Sequence, residues 1–157
     1  MPDRDRAPRG PRVLAVASGG GHWVQLLRLR PAFEDCEVTY VTVSAAYGTD
    51  VPGEALRVVN DATRWDRIQM ALLALRMFWI VVRIRPQLVI TTGAAPGYLA
   101  IRFGRLFGAR CAWIDSIANV EEVSMSGRLA ARYAQLFLTQ WPHLAREEGL
   151  EYRGNVL

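Results

Sequence analysis

The residues that could do chemistry are concentrated in one stretch, Ser18, Gly19, Gly20, Gly21 and His22. Small apolar residues precede it and a periodic apolar run follows it. This pattern predicts a buried strand, a glycine turn and a helix with His22 in its first turn. Glycines let a ligand approach the backbone, and a helix start offers free N–H groups to an anion. The stretch predicts an anion-binding loop in which a neutral His22 imidazole can accept a proton, and deprotonating a sugar hydroxyl is one reaction that it could serve.

Commoner glycine motifs do not fit this loop. Gly19 and Gly21 match the first two positions of a dinucleotide fingerprint, but Val24 occupies the third, and no acidic residue is placed for a ribose. A phosphate-binding P-loop needs a lysine, which the chain lacks. An NAD-dependent oxidoreductase is therefore disfavoured. A plain strand–glycine–helix turn, with no ligand, explains the same residues and stays open.

Two further polar clusters follow predicted strands. One contains Thr92 and Gly93, and the other contains Asp115 and Ser116. Because parallel strands end at the same edge of a sheet, we expect these residues to share one cleft with His22. They are candidate substrate-binding residues.

Other titratable residues near this cleft are alternatives to His22. Asp115, Glu121 and Glu122 could each act as a base, although a glutamate pair in a polar loop is more typical of solvated surface. His143 follows Trp141 and Pro142 and is interpreted as structural. No Ser/His/Asp order and no metal-ligand spacing is found, so neither a metal nor an organic cofactor is expected.

Strands alternating with helices must position these residues. The predicted strands are residues 13–17, 37–43, 56–59, 88–92, 110–114 and 135–139, and the predicted helices are 23–29, 64–84, 98–107 and 129–134. This alternation predicts an α/β fold, a Rossmann-like parallel sheet with helices on both faces. We expect one domain over residues 12–157 after a disordered leader, residues 1–11.

The predicted helix over residues 64–84, with Asp61 or Thr63 as its N-cap, is apolar nearly all round. Arg76 and Arg83 interrupt it, and the uncharged runs that remain are too short to cross a bilayer. Arginines beside aromatic residues are typical of a helix that lies on anionic lipid. The alternative is a core helix whose arginines reach solvent. The candidate membrane-contacting residues are Arg76, Phe78, Trp79 and Arg83.

The composition and motifs of the chain argue against a nucleic-acid partner. The chain of 157 residues has a net charge of +4, and all nineteen basic residues are arginine. No zinc-finger spacing, basic run or RNP-like strand is present, so no nucleic-acid partner is expected. Two isolated cysteines indicate neither a disulfide framework nor a metal site.

Four motifs of the chain resemble the PssD family of bacterial polysaccharide-biosynthesis proteins. They are Ser18-Gly19-Gly20-Gly21-His22, Thr91-Thr92-Gly93-Ala94-Ala95-Pro96-Gly97, Trp113-Ile114-Asp115-Ser116 and the terminal Gly154-Asn155-Val156. That family is similar to the membrane-recruiting subunit of the eukaryotic two-part transferase that adds the second N-acetylglucosamine to dolichol diphosphate. The resemblance covers residues 12–157. The glycine–histidine turn also resembles that of MurG.

The resemblance implies the N-terminal, acceptor-binding half of a GT-B glycosyltransferase. The donor half would be a separate PssE-type subunit, which binds most of the UDP-sugar, and this chain would be active as a hexosyltransferase only with that partner. The acceptor would be a polyprenyl-diphosphate-linked saccharide of exopolysaccharide or capsule biosynthesis. The complex would lie in the cytoplasm, peripherally on the inner face of the plasma membrane.

The resemblance gives the loop from Gly19 to His22 a role in binding the acceptor or its diphosphate. Together with the shared cleft, it makes His22 the candidate catalytic base, and the candidate substrate-binding residues are Ser18, Gly19, Gly20, Gly21, Thr92, Gly93, Asp115 and Ser116. The eukaryotic relatives usually carry an N-terminal membrane anchor, whereas residues 1–12 here are polar. The alternative from another class is a non-catalytic scaffold that recruits the donor-binding catalytic subunit to the membrane and tolerates loss of His22.

Overall fold

The computed structural model describes residues 10–146 and 149–156. The predicted leader lies outside the described residues as far as residue 9. Its last two residues, Gly10 and Pro11, hydrogen-bond to the backbone of Asp35 and Glu37 beside the first strand.

The described residues contain one sheet of seven parallel strands. They are β1 (Arg12–Val16), β2 (Glu37–Thr42), β3 (Ala55–Val58), β4 (Leu88–Thr91), β5 (Arg110–Ile114), β6 (Leu136–Thr139) and β7 (Glu151–Tyr152). Their order is β3-β2-β1-β4-β5-β6-β7, so the chain first builds outward from β1 in one direction and then, from β4, in the other. In such sheets ligands bind at the carboxyl ends of the two strands where the direction reverses. Here those strands are β1 and β4.

Helices cover both faces of the sheet, as the sequence predicts. They are α1 (Gly21–Arg28), α2 (Arg67–Ile84), α3 (Ala94–Leu106) and α4 (Met125–Ala130), with 3-10 segments at Arg30–Phe33, Ala45–Asp50 and Pro142–Leu144. Leu14 and Val16 face the core formed with α2, α3 and α4, whereas Val13 and Ala15 face α1. Because β1 is buried on both faces, it lacks polar alternation.

The cysteines are free, as expected from their isolated positions. Cys36 is half-buried, and Cys111 is buried within β5. Burial in this apolar core raises the pKa of the Cys111 thiol to about 11.

Most predicted elements shift by one or two residues, and three helices and one strand differ more from the prediction. Helix α2 begins at Arg67 because Asp66, not Thr63, caps it by accepting the Gln69 N–H. Helix α3 begins at Ala94, four residues early, since a proline is tolerated in a first turn. Helix α4 spans Met125–Ala130 and not the predicted 129–134, because Ser124 caps its N-terminus. Strand β7 was not predicted because it has only two exposed residues.

Candidate functional site

The glycine loop lies at the carboxyl end of β1 and leads directly into α1. Gly20 has φ +56°, a conformation that favours glycine, and no atom lies within 4 Å of the position of a Cβ there. Its N–H donates to the Tyr47 hydroxyl at 2.9 Å. Gly20 and Gly21 are exposed to solvent, whereas Ser18 and Gly19 are half-buried.

His22 is held against the turn that follows β4. Its Nδ1 lies 2.8 Å from the Thr92 carbonyl oxygen, and the Thr92 hydroxyl donates to the His22 carbonyl at 2.6 Å. A carbonyl only accepts, so Nδ1 carries the proton of this bond. In the neutral ring the lone pair is then on Nε2, the nitrogen that can accept a proton from a ligand.

Gly93 makes room for the histidine ring. A Cβ at position 93 would lie 2.9 Å from His22 Cε1, and the backbone there has φ +130°. Both observations require glycine. The structure therefore brings His22, Thr92 and Gly93 into direct contact where β1 and β4 lie side by side.

Gly93→Ala is expected to lower the free energy of unfolding by about 2 kcal/mol or more, because it adds backbone strain and a close contact. It should also displace the His22 ring, which NMR of the imidazole resonances would detect. Gly108→Ala is the matched control, since Gly108 has φ +84° with no atom within 4 Å of its Cβ position. It should cost about 1 kcal/mol and leave the imidazole resonances unmoved. Equal shifts in both variants would contradict the proposed contact.

Asp115 follows β5 and is buried beside the same edge, with 2% of its surface exposed. Its Oδ1 accepts from Trp113 Nε1 at 3.0 Å and from the Ser124 hydroxyl at 2.6 Å. Its Oδ2 accepts from Asn119 Nδ2 at 2.9 Å and from the Ser124 N–H at 3.0 Å. Two bonds at each oxygen use the usual capacity of a carboxylate. In this arrangement Asp115 orders the loop between β5 and α4.

A buried glutamine pair, which the sequence analysis did not single out, links this loop to α1. Gln25 donates to the Ser116 hydroxyl at 3.3 Å and accepts from the Ile117 N–H at 3.2 Å. Gln140 donates to the Asp115 carbonyl at 3.0 Å and accepts from the Val156 N–H at 2.7 Å. The sequence feature that could have identified Gln25 is its position on the apolar face of the predicted first helix. Thus Ser116 contacts α1 three residues beyond His22, and the hydrogen bonds of the Asp115 carboxylate go to Trp113, Asn119 and Ser124.

The other titratable candidates lie at the surface. Glu121 and Glu122 are exposed, and Glu122 pairs with Arg128, which is also exposed. His143 is exposed, and its Nε2 lies 2.6 Å from the Val120 carbonyl oxygen. Each arrangement is that of a surface loop.

Helix α2 has two apolar faces. Leu73, Met77 and Val81 are buried against the sheet. On the opposite side four large side chains at helical spacing are between 43% and 74% exposed, and we call them the apolar stripe: Ile68, Leu72, Leu75 and Trp79.

Three of the four predicted membrane-contacting residues lie in this stripe or beside it. Trp79 belongs to it, and Arg76 and Arg83 are exposed beside it. Neither arginine has a carboxylate within 4 Å in the described part of the chain. Phe78 is half-buried and packs against Phe103 and Phe107. Across residues 10–146 and 149–156 no helix combines the length and hydropathy that a bilayer crossing requires.

Comparison with known sequences identifies relatives. Residues 54–156, about two thirds of the chain, match the family described as "Oligosaccharide biosynthesis protein Alg14 like". The chain is 24% identical to the UDP-N-acetylglucosamine transferase subunit ALG14 of Eremothecium gossypii, covering 91% of this chain and 79% of the relative. It is 23% identical to the subunit of that name from Mus musculus, covering 85% and 76%.

Comparison with solved structures supports the fold. Acinetobacter baumannii MurG superposes with a TM-score of 0.75 at 11% identity, over 93% of this chain and 46% of that chain. The UDP-GlcNAc 2-epimerase of Methanocaldococcus jannaschii superposes with a TM-score of 0.66 at 11% identity, over 92% and 45%. The chain therefore spans about half the length of these structures. It has the Rossmann-like fold of the N-terminal half of a GT-B glycosyltransferase.

Proposed function

This chain belongs to the Alg14-like family of oligosaccharide biosynthesis proteins, and we propose that it is the non-catalytic subunit that recruits a donor-binding glycosyltransferase subunit to a membrane. The observation that carries the proposal is the apolar stripe on α2 with Arg76 and Arg83 beside it. An exposed apolar patch marks an interaction surface, and arginines at its edge favour an anionic lipid surface. Similarity to subunits of UDP-N-acetylglucosamine transferases supports a role beside a catalytic partner.

The finer assignments are part of the same proposal. The chain acts in the manner of the PssD family, its partner is a PssE-type subunit that binds the UDP-sugar, and the acceptor is a polyprenyl-diphosphate-linked saccharide of exopolysaccharide or capsule biosynthesis. The complex lies on the inner, cytoplasmic face of the plasma membrane. The curated relatives are named as subunits of UDP-N-acetylglucosamine transferases, which supports a separate partner for this half of a GT-B cleft.

A second candidate is an acceptor-binding subunit in which His22 is the general base. The hydrogen bond from Nδ1 to the Thr92 carbonyl supports it, because this bond leaves Nε2 free at the carboxyl ends of β1 and β4. Ser18 and the three glycines of the loop would then contact the acceptor diphosphate. Thr92 and Gly93, which are buried against His22, would position its imidazole, and Asp115 and Ser116 would hold the neighbouring loop. Backbone N–H groups of a glycine turn suit an anion.

Transfer of labelled sugar with the partner subunit distinguishes the two candidates. UDP-N-acetylglucosamine and other UDP-sugars serve as donors, and polyprenyl-diphosphate-glucose serves as acceptor, either in anionic vesicles or in detergent micelles. A recruiting subunit is expected to raise the partner's rate on vesicles about tenfold or more, through local concentration, and to change it less than about twofold in micelles. An equal requirement in both would support the acceptor-binding candidate and contradict pure recruitment.

His22→Ala tests the same point at one residue. For the recruiting subunit, we expect the stimulation on vesicles to persist within about twofold, because the imidazole takes no part in the reaction. A base would show a loss of about a hundredfold or more, with partner binding unchanged. Co-sedimentation of the variant with the partner is the control for folding and assembly.

A further inference from the structure

A groove lies between the edge strand β3 and helix α2. Its volume is about 410 Å³. Its walls are mainly aliphatic and aromatic, with two guanidinium groups among them. The lining residues are Arg57, Val58, Val59, Leu75, Arg76, Trp79 and Ile80.

The groove opens beside the apolar stripe. Leu75 and Trp79 belong both to the stripe and to the groove wall, and β3 is the outermost strand, so one side of the groove has no neighbouring strand. Arg57 is in register with Val41, whose side chain faces the core under α2. In-register side chains of parallel strands share a face, so the Arg57 side chain leaves β3 on the face that α2 covers.

The charge at the groove is positive. Arg57 and Arg76 are exposed, and neither has a carboxylate within 4 Å among residues 10–146 and 149–156. An apolar slot with two unpaired guanidinium groups suits a molecule that carries both a hydrocarbon chain and a phosphate.

We propose that this groove binds one acyl chain of an anionic phospholipid, with the lipid phosphate at Arg57 and Arg76. The inference rests on the proposed membrane role and adds a specific lipid site to it. The acceptor lipid is a poorer fit. His22 lies on α1, on the face of the sheet opposite α2, and β2 separates its strand from β3. A headgroup bound at Arg57 is therefore not at the candidate transfer site.

Binding of monomeric dihexanoyl phosphatidylglycerol, below its micelle concentration, tests the groove without a bilayer. Titration calorimetry should show saturable binding of one lipid per chain. Leu75→Trp places an indole in the groove and keeps the stripe apolar, and we expect it to weaken binding about tenfold or more. Leu72→Trp adds the same ring to the stripe one turn away, outside the groove lining, and should change binding less than about twofold.

Charge variants test the headgroup contact. Arg57→Gln combined with Arg76→Gln should weaken binding about tenfold, whereas Arg105→Gln combined with Arg132→Gln removes the same net charge at exposed positions outside this groove and should have less than a twofold effect. Dihexanoyl phosphatidylcholine should bind less tightly than the anionic lipid. No saturable binding, or equal losses in the matched variants, would overturn the proposal.

Two other occupants give distinct results, and each would overturn it. If farnesyl diphosphate binds in a manner sensitive to Leu75→Trp and the phospholipid does not, the groove holds an isoprenoid acceptor chain. If the wild-type chain is a dimer by sedimentation and Leu75→Trp is a monomer, the groove is an interface between copies. Vesicle flotation of the same variants separates this test from the membrane role, because Leu75→Trp should still float with the vesicles.

Discussion

Replacing Ile68 and Trp79 with glutamate is expected to weaken binding of this protein to anionic vesicles by about a hundredfold or more. Both side chains belong to the apolar stripe and are 74% and 59% exposed. Burial of one large apolar side chain contributes about 1.5–3 kcal/mol, and each glutamate adds repulsion from the lipid headgroups. Vesicle flotation or co-sedimentation at fixed ionic strength measures the change.

The matched control carries two glutamates at exposed apolar positions outside α2. Val24 on α1 and Tyr152 on β7 are 47% and 39% exposed, so Val24→Glu with Tyr152→Glu introduces the same charge. This variant should bind vesicles within about threefold of the wild type, since only long-range repulsion acts on it. Equal loss of binding in the two double variants would show that net charge, not the stripe, determines vesicle binding. Unchanged melting temperatures confirm that both variants fold.

The second large effect is expected at Asp115. Asp115→Ala should lower the free energy of unfolding by about 3 kcal/mol or more, because it leaves the buried Trp113 indole N–H and half-buried donors of Asn119 and Ser124 without their acceptor. For a domain of this size that corresponds to a fall in melting temperature of about 6–12 °C. Denaturant unfolding and calorimetry measure the two quantities.

A second aspartate provides the comparison. Asp50 accepts the Trp23 indole N–H at 2.8 Å but is itself exposed. Asp50→Ala removes one such bond where water can replace it, and should cost about 1 kcal/mol. If Asp115→Ala were no more destabilising than Asp50→Ala, the four hydrogen bonds would not be the reason for burying this carboxylate. The loop between β5 and α4 would then be ordered by other contacts.

Residue types predicted some contacts of the candidate site and not others. The sequence marks three polar strand ends, and two of them meet as expected through His22, Thr92 and Gly93. Asp115 is also beside this edge, but its bonds are made within its own loop. The difference depends on Trp113, two residues earlier in the chain, and on Ser124 at the start of α4, whose side chains both donate to Asp115. A sequence pattern does not contain those distances.

Helix α2 was open to two interpretations, a core helix or a membrane-contacting one. The structure has one face buried at Leu73, Met77 and Val81 and the other exposed at the apolar stripe. An apolar residue contributes the same hydropathy on either face, so composition alone does not separate them. The separation comes from the position of the sheet, which covers one side of the helix.

Local sequence patterns are enough to predict the fold class and the positions of most elements. Buried strands without polar alternation, the glycine turns and the helical periodicity are local properties, and local sequence encodes them. Tertiary structure alone decided the strand order, the contact of Thr92 and Gly93 with His22, the bonds that occupy Asp115 and the exposed stripe on α2. The strand order, the His22 contact and the exposed stripe depend on residues far apart in the chain, and the Asp115 bonds depend on how the loop after β5 folds back on this carboxylate. Close packing and satisfied buried hydrogen bonds select those partners only when the whole sheet has formed.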